Sequence, residues 1–275
     1  VDPKTPYPAS ADGKLPLKSR AVLDPIEVLS YAAARTSRAR LGTSVLNMPF
    51  YNPVILARQL TAIDVLSRGR LVVGLGLGWS QDEFEAVGSS LKGRGALSDE
   101  FITLLKKIWS ESPVQHQGKL YQVARSHIDL KPVQKPHPPI LLAAYTPESM
   151  NRVARLADGW NPAGLPLTAL QSMWAGIKQM AQAAGRDPET MSLIARANVV
   201  LCPRDLEGER HPFVGSQSQV AQDIQDHAAA GVEELIVDLQ FSPQIDDAQA
   251  YIQAAEFFLQ PTGNATGSPN ATRAV

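Results

Sequence analysis

The sequence predicts an α/β fold, a TIM (β/α)8-type barrel without its first two strands. Strand-like and helix-like segments alternate about six times between residues 25 and 259, the pattern of right-handed parallel units. The strand segments are near-continuous apolar runs, such as Leu71-Val-Val73 and Ile140-Leu-Leu142. Strands buried on both faces read that way. An open doubly wound sheet is the fold alternative.

The elements follow in order. Residues 1–24 carry Pro3, Pro6, Pro8 and Pro16 with little periodicity and read as a loop. A helix over Pro25 to Arg38 places Ile26, Leu29, Ala33 and Ala34 on one face. Leu41 to Leu46 is the first strand. Asn52 caps a helix over Val54 to Leu66, with Pro53 in its first turn. Arg70 to Leu75 is the second strand, and 81–88 and 98–110 read as helices. Residues 113–138, rich in proline, are an excursion with a short hairpin signalled by the alternating Tyr121-Gln-Val123. Pro139 to Ala144 is the third strand, followed by a helix from Thr146-Pro147 to Leu156. A very short strand spans Gly159 to Asn161, and a helix over Leu167 to Ala184 stops at Gly185. Met191 to Leu201 and Glu234 to Leu239 are the last strands. Helices over Val214 to Ala230 and Asp246 to Leu259 complete the pattern. Residues 1–260 form one domain, and the low-complexity tail 261–275 is expected to be disordered.

Composition narrows the function. Among 275 residues, 26 Lys and Arg face 27 Asp and Glu, so no charge excess marks a partner such as nucleic acid or an anionic membrane. Cys202 is the single cysteine, which excludes an internal disulfide and any multi-cysteine metal site. No apolar run approaches the roughly 18–20 residues of a membrane span. The start is polar and carries no secretory pattern. These features lead us to expect a cytoplasmic protein acting on a small-molecule substrate.

In a parallel barrel the chemistry sits at the C-terminal strand ends. Ser44-Val45-Leu46 closes the first strand, either as a bulge backing a flat ring or as an ordinary strand end, which spacing alone favours. The second ends in Gly74-Leu-Gly76-Leu77-Gly78-Trp79, where missing side chains let something approach the backbone or simply allow a tight turn. The third, Ala143-Ala144-Tyr145-Thr146-Pro147, runs into a capped helix. Free N–H groups of Ala144, Tyr145 and Thr146 would there converge on an anion such as a phosphate, although most capped helices bind nothing. Trp160 in Asp158-Gly-Trp-Asn-Pro162 walls a ring pocket or packs in the core.

Other chemistries lack their motifs. The five histidines form no H-x-x-x-H pair, and no G-x-S-x-G elbow or G-x-x-x-x-G-K-[ST] loop is present. Glu83 reads as a helix-start charge rather than a site acid.

Taken together, "RLGTSVLNMPFYNPVILARQLTAIDVLSRGRLVVGLGLGWSQDEFEAVG" (40–88), "GALSDEFITLLKKIW" (95–109) and "PILLAAYTPESMNRVARLADGWNP" (139–162) resemble the bacterial luciferase-like family, most closely its deazaflavin-dependent branch. The resemblance spans roughly residues 20–260. It implies a (β/α)8 barrel with an insertion at 113–138, and residues 1–24 matching the loop after a second strand. It implies coenzyme F420, with FMN in sister branches. Ser44-Val45 match a non-prolyl cis peptide that backs the ring, Leu77 and Gly78 flank it, and Ala143 to Thr146 hold the phosphate. Trp79 stands where some relatives carry a glutamate, so no catalytic residue is assigned.

The expected function is hydride transfer between the deazaflavin and a small organic substrate. An FMN-dependent monooxygenase using O2 is the alternative, and a non-catalytic or vestigial barrel fragment is the third reading. A homodimer through the helices that follow the strands at 41–46 and 70–75 is expected. A bulky residue at Gly78 is expected to abolish cofactor binding with little loss of fold.

Overall fold

The structure, a computed structural model, describes residues 4–7, 13–14 and 21–259. Much of the loop expected over 1–24 and the whole tail expected over 261–275 lie outside the described residues.

The first half of the chain runs α1 (Pro25–Arg35), β1 (Leu41–Gly42), β2 (Leu46–Asn47), α2 (Pro53–Ser67), β3 (Leu71–Gly76), α3 (Gln81–Ala86) and α4 (Arg94–Ser110). The hairpin β4 (Val114–Gln117) and β5 (Gln122–Ser126) follows, then β6 (Ile140–Leu142), α5 (Pro147–Leu156) and β7 (Gly159–Trp160). The second half holds α6 (Leu167–Ala183), β8 (Ser192–Asn198), β9 (Val200–Leu201), β10 (Val214–Gly215), α7 (Gln217–Ala229), β11 (Glu234–Asp238) and α8 (Ala248–Leu259).

The main sheet is parallel throughout, in the order β1-β3-β6-β7-β8-β11, with β2 also pairing with β3. Each strand that the apolar runs predict is present. All six residues of β3 are buried, because its two faces meet different partners. Leu71, Val73 and Leu75 pack with the helices in the main core, alongside Leu56, Leu60, Phe101 and Leu105. Val72 turns the other way and meets Leu141 of β6, Ile194 of β8 and Ile236 of β11. That second cluster is the interior of a curved sheet, as a barrel requires.

β1 and β11 are the two ends of the strand order. Arg40, just before β1, reaches Glu234 at the start of β11 with an N–O distance of 2.6 Å. At 50% and 39% side-chain exposure this pair contributes about 1 kcal/mol at most.

Two stretches differ from expectation. Val214-Gly215 do not open a helix; they pair with β9, and the helix starts after Ser216. The Ser216–Gln219 capping box sets that start, with each side chain bonding the other's backbone N–H. The excursion at 113–138 contains the expected hairpin, fastened by Glu100 of α4. The Glu100 carboxylate accepts N–H bonds from Lys119, Leu120 and Tyr121 and lies 3.2 Å from His116 Nε2.

Candidate functional site

The site begins with a bulge. Leu41–Gly42 pair with Leu71–Val72, and Leu46–Asn47 with Leu75–Gly76, so residues 43–45 stand opposite residues 73–74. One extra residue bends the edge. Thr43 Oγ1 brackets the facing peptide, accepting from Gly74 N at 3.1 Å and donating to Gly74 O at 2.9 Å. The bend is possible because residue 74 has no side chain. A Cβ there would sit 2.0 Å from Thr43 O and 2.3 Å from Ser44 O.

The Ser44–Val45 bond itself is trans, contrary to the cis bond that the resemblance implied. Among the described residues the cis bonds are Ser112–Pro113 and Lys135–Pro136. The extra residue supplies the bend without one. Ser44 Oγ then donates to Asn161 Oδ1 at 3.1 Å, and Asn161 Nδ2 is fixed on Ile194 O at 2.7 Å.

Next to the bulge, Gly76, Leu77 and Gly78 continue the wall. A Cβ at Gly76 would come 2.5 Å from Val45 Cγ1, so the missing side chain is what lets Val45 pack against this wall. Facing this wall is the start of α5. Thr146 and Ser149 form a capping box, and Pro147 fills the first turn. The amides of Tyr145 and Thr146 converge on Ser149 Oγ at 3.0 and 2.9 Å. They are therefore not free, as the sequence suggested; a side chain of the same helix occupies the point where they meet. That meeting point still marks where an oxyanion could sit.

Trp160 serves this arrangement from behind. It is fully buried, faces α6 and stacks near Trp174 with ring centroids 6.3 Å apart. Its Nε1 donates to Ala144 O at 2.9 Å. That carbonyl shares a trans peptide with the Tyr145 N–H, so holding the oxygen inward turns the N–H outward.

The walls enclose a cavity of about 530 Å³, within the range of small-molecule sites. Ser44, Val45, Leu77, Gly78, Ala143, Ala144, Tyr145 and Thr146 all line it. Leu46 and Trp160 do not, since both side chains point into the helix-facing core. In a two-residue strand no alternation tells which face a side chain takes.

The structure adds Asn47, Arg94, Arg152, Asn161 and Arg196 to the lining. Arg152 is buried, ion-paired with Asp99, and donates to Gly95 O at 3.0 Å. Arg94, next to Gly95, donates to Gly78 O at 2.9 Å, and no carboxylate pairs with it among the described residues. Arg94, at the start of α4, and Arg152, on α5, thus both reach the cavity. Nothing local in the sequence marks Arg94. Arg196, by contrast, is a charge inside a buried strand, SLIARAN, and that was a readable signal.

The remaining candidates fall elsewhere. Burial pushes the Glu83 carboxyl up, but Glu83 lies in the first turn of α3, outside the cavity lining. Burial also raises the Tyr145 phenol, whose oxygen accepts from Ala163 N at 2.9 Å. No metal-holding group of His, Cys, Asp or Glu exists among the described residues. No helix among them is long and apolar enough to cross a membrane.

Residues 9–234 match the family described as luciferase-like monooxygenase. An uncharacterised protein of Mycobacterium tuberculosis is 34% identical over 68% of this chain and 67% of its own length. The F420-dependent glucose-6-phosphate dehydrogenase of Kineococcus radiotolerans is 31% identical over 60% of this chain and 51% of its own length. The FMNH2-dependent dimethylsulfone monooxygenase of Pseudomonas putida is 27% identical over 64% and 48%. This chain therefore matches about half the length of those two enzymes. Among solved structures, the monooxygenase RslO1 of Streptomyces bottropensis superposes with a TM-score of 0.71 at 26% identity, covering 86% of this chain and 82% of that one. With a glycine-walled cavity at the ends of parallel strands and matches of this extent, the chain belongs to the luciferase-like monooxygenase family, whose members include F420-dependent and FMN-dependent oxidoreductases.

Proposed function

We propose that the chain is an oxidoreductase that binds coenzyme F420 and serves hydride transfer between it and a small organic substrate. The observation that carries this reading is one cavity with two unlike walls. On one side a bulge packs onto Gly74 beside the side-chain-free Gly76; on the other, two helix-start amides meet, and Arg94 also lines the cavity. A flat ring and a phosphate are the two things such walls suit, so the residues fit the group. When bound, the deazaflavin supplies the hydride chemistry. The chain's own part is to hold and orient. Residues 43–45 and Gly76 to Gly78 would back the ring. Tyr145 N–H, Thr146 N–H and Arg94 would hold the phosphate, with Ser149 turning its hydroxyl aside. FMN offers the same two parts, and the 27% identity to the FMNH2-dependent dimethylsulfone monooxygenase supports it as the second reading.

Fluorescence titration of the purified protein with F420 and with FMN is the test. F420 is expected to bind more tightly. Tighter FMN binding would favour the second reading, and no binding of either would remove both. Arg94→Gln is expected to weaken FMN binding about tenfold while leaving riboflavin, which lacks the phosphate, unchanged. Equal losses for the two would take Arg94 out of the phosphate role.

We also infer a homodimer. Ile55 and Leu66 are 58% and 62% exposed on α2, with Val65 exposed beside Leu66. Sedimentation at the dimer mass is expected, and a monomer across the concentration range would count against it.

A further inference from the structure

Arg196 lies on the inward face of β8 and lines the cavity together with Ser44 and Asn161. Its guanidinium is held on two sides. Nε donates to Asn198 Oδ1 at 2.9 Å, and Nη2 lies 2.8 Å from Asp238 Oδ2. Nη1 has no hydrogen-bond partner among the described residues. Asp238 is engaged in turn by Gln240, whose N and Nε2 donate to it at 3.0 and 2.9 Å. The pair is therefore built in place, with side chains only 23% and 17% exposed.

Its surroundings are aromatic. The Phe241 ring centroid lies 5.9 Å from Arg196 Cζ. Tyr7 stacks nearly parallel on Phe241 at 6.4 Å and meets Trp79, a cavity-lining residue, at 5.5 Å. Tyr7 is held there by its neighbour Thr5, whose N and Oγ1 donate to Asp82 Oδ2 at 2.7 and 2.6 Å. Burial raises the Tyr7 phenol, Arg196 opposes that rise and Asp238 adds to it, so the phenol stands within electrostatic reach of the pair.

The cavity thus holds arginines in two different charge settings. Arg94, bonded to Gly78 O, has no carboxylate partner among the described residues. At β8, the Asp238 carboxylate offsets the charge of Arg196. A full anion at Arg196 would face Asp238 across a few ångströms of partly desolvated space. A neutral oxygen acceptor would meet only the spare Nη1 donor.

We infer that Arg196 anchors the substrate by one uncharged carbonyl oxygen, and that the substrate's body is flat and apolar, lying against Trp79, which Tyr7 backs. This rests on the cavity being the oxidoreductase site proposed above. Asp238 acts only through Arg196, by cancelling its charge, and so selects against carboxylate and phosphate substrates.

Three probes of one shape test it on the F420-loaded protein by calorimetric titration: acetophenone, benzoate and toluene. Acetophenone is expected to bind about tenfold more tightly than either of the others, the value of one hydrogen bond to a charged donor. Arg196→Met is expected to erase the preference of acetophenone over toluene while leaving F420 affinity unchanged. Asp238→Asn is expected to reverse the preference between acetophenone and benzoate, because it uncovers the Arg196 charge. Benzoate binding the unaltered protein as tightly as acetophenone would overturn the inference. So would an Asp238→Asn variant with no gain for benzoate, or an Arg196→Met variant that loses F420. Normal F420 binding alongside any of these results would leave the cofactor reading standing. Absence of F420 and FMN binding in the unaltered protein would remove that reading and this one with it.

Discussion

Gly74→Ala is expected to lower stability by about 3 kcal/mol or more, the upper end of what overpacking costs. The added methyl would stand 2.0 Å from Thr43 O, 2.3 Å from Ser44 O and 2.8 Å from Ser44 C. All three are backbone atoms of the bulge, and none can swing aside as a side-chain tip does. Relief requires pushing residues 43–45 off β3, which also breaks both Thr43 bonds to Gly74. Urea unfolding followed by circular dichroism reads the cost. A midpoint equal to that of the unaltered protein would mean that the bulge does not pack on Gly74.

Gly76→Val is expected to act on binding instead. Here the added atoms meet the tip of Val45, at 2.5 Å, and that side chain is 41% exposed and free to move. The fold should lose about 1 kcal/mol, while the valine and the displaced Val45 fill the space beside the wall. About 3 kcal/mol of overpacking against a bound ring corresponds to a hundredfold or more in Kd. Fluorescence titration with F420 and FMN measures it, and undiminished affinity would place the ring elsewhere. Gly78 is not a clean alternative, contrary to expectation. Its φ is +73°, and a Cβ would come 2.8 Å from Phe84 Cε2, a ring with no exposure. A bulky residue there damages the fold and the site together.

The strands were legible because burial on both faces leaves short apolar runs between turn residues. Helix starts were legible at Asn52-Pro53 and Thr146-Pro147, where cap and first-turn residues act locally. The bulge could be suspected from Ser44-Val45, but its cause lies 30 residues away at Gly74, and only the register reveals it. For Trp160 the sequence left pocket wall and core packing open, because a strand of two residues shows no alternation; the side chain lies in the core. The arginines of the cavity come from two helices and a strand distant in sequence. Of these, only Arg196 broke a local pattern.

The hairpin clip has a consequence for the chain's tolerance to change. Glu100 gathers the N–H groups of Lys119, Leu120 and Tyr121, so that corner takes its shape from main-chain atoms, and the exposed Leu120 adds no partner of its own. Lys119 and Leu120 are accordingly open to drift or grafting, whereas the Tyr121 ring packs on Phe101 and Gly118 is constrained as well. At Gly118 a methyl would fall 1.7 Å from Glu100 Oε1, so any newcomer there must dislodge the carboxylate on which the corner turns.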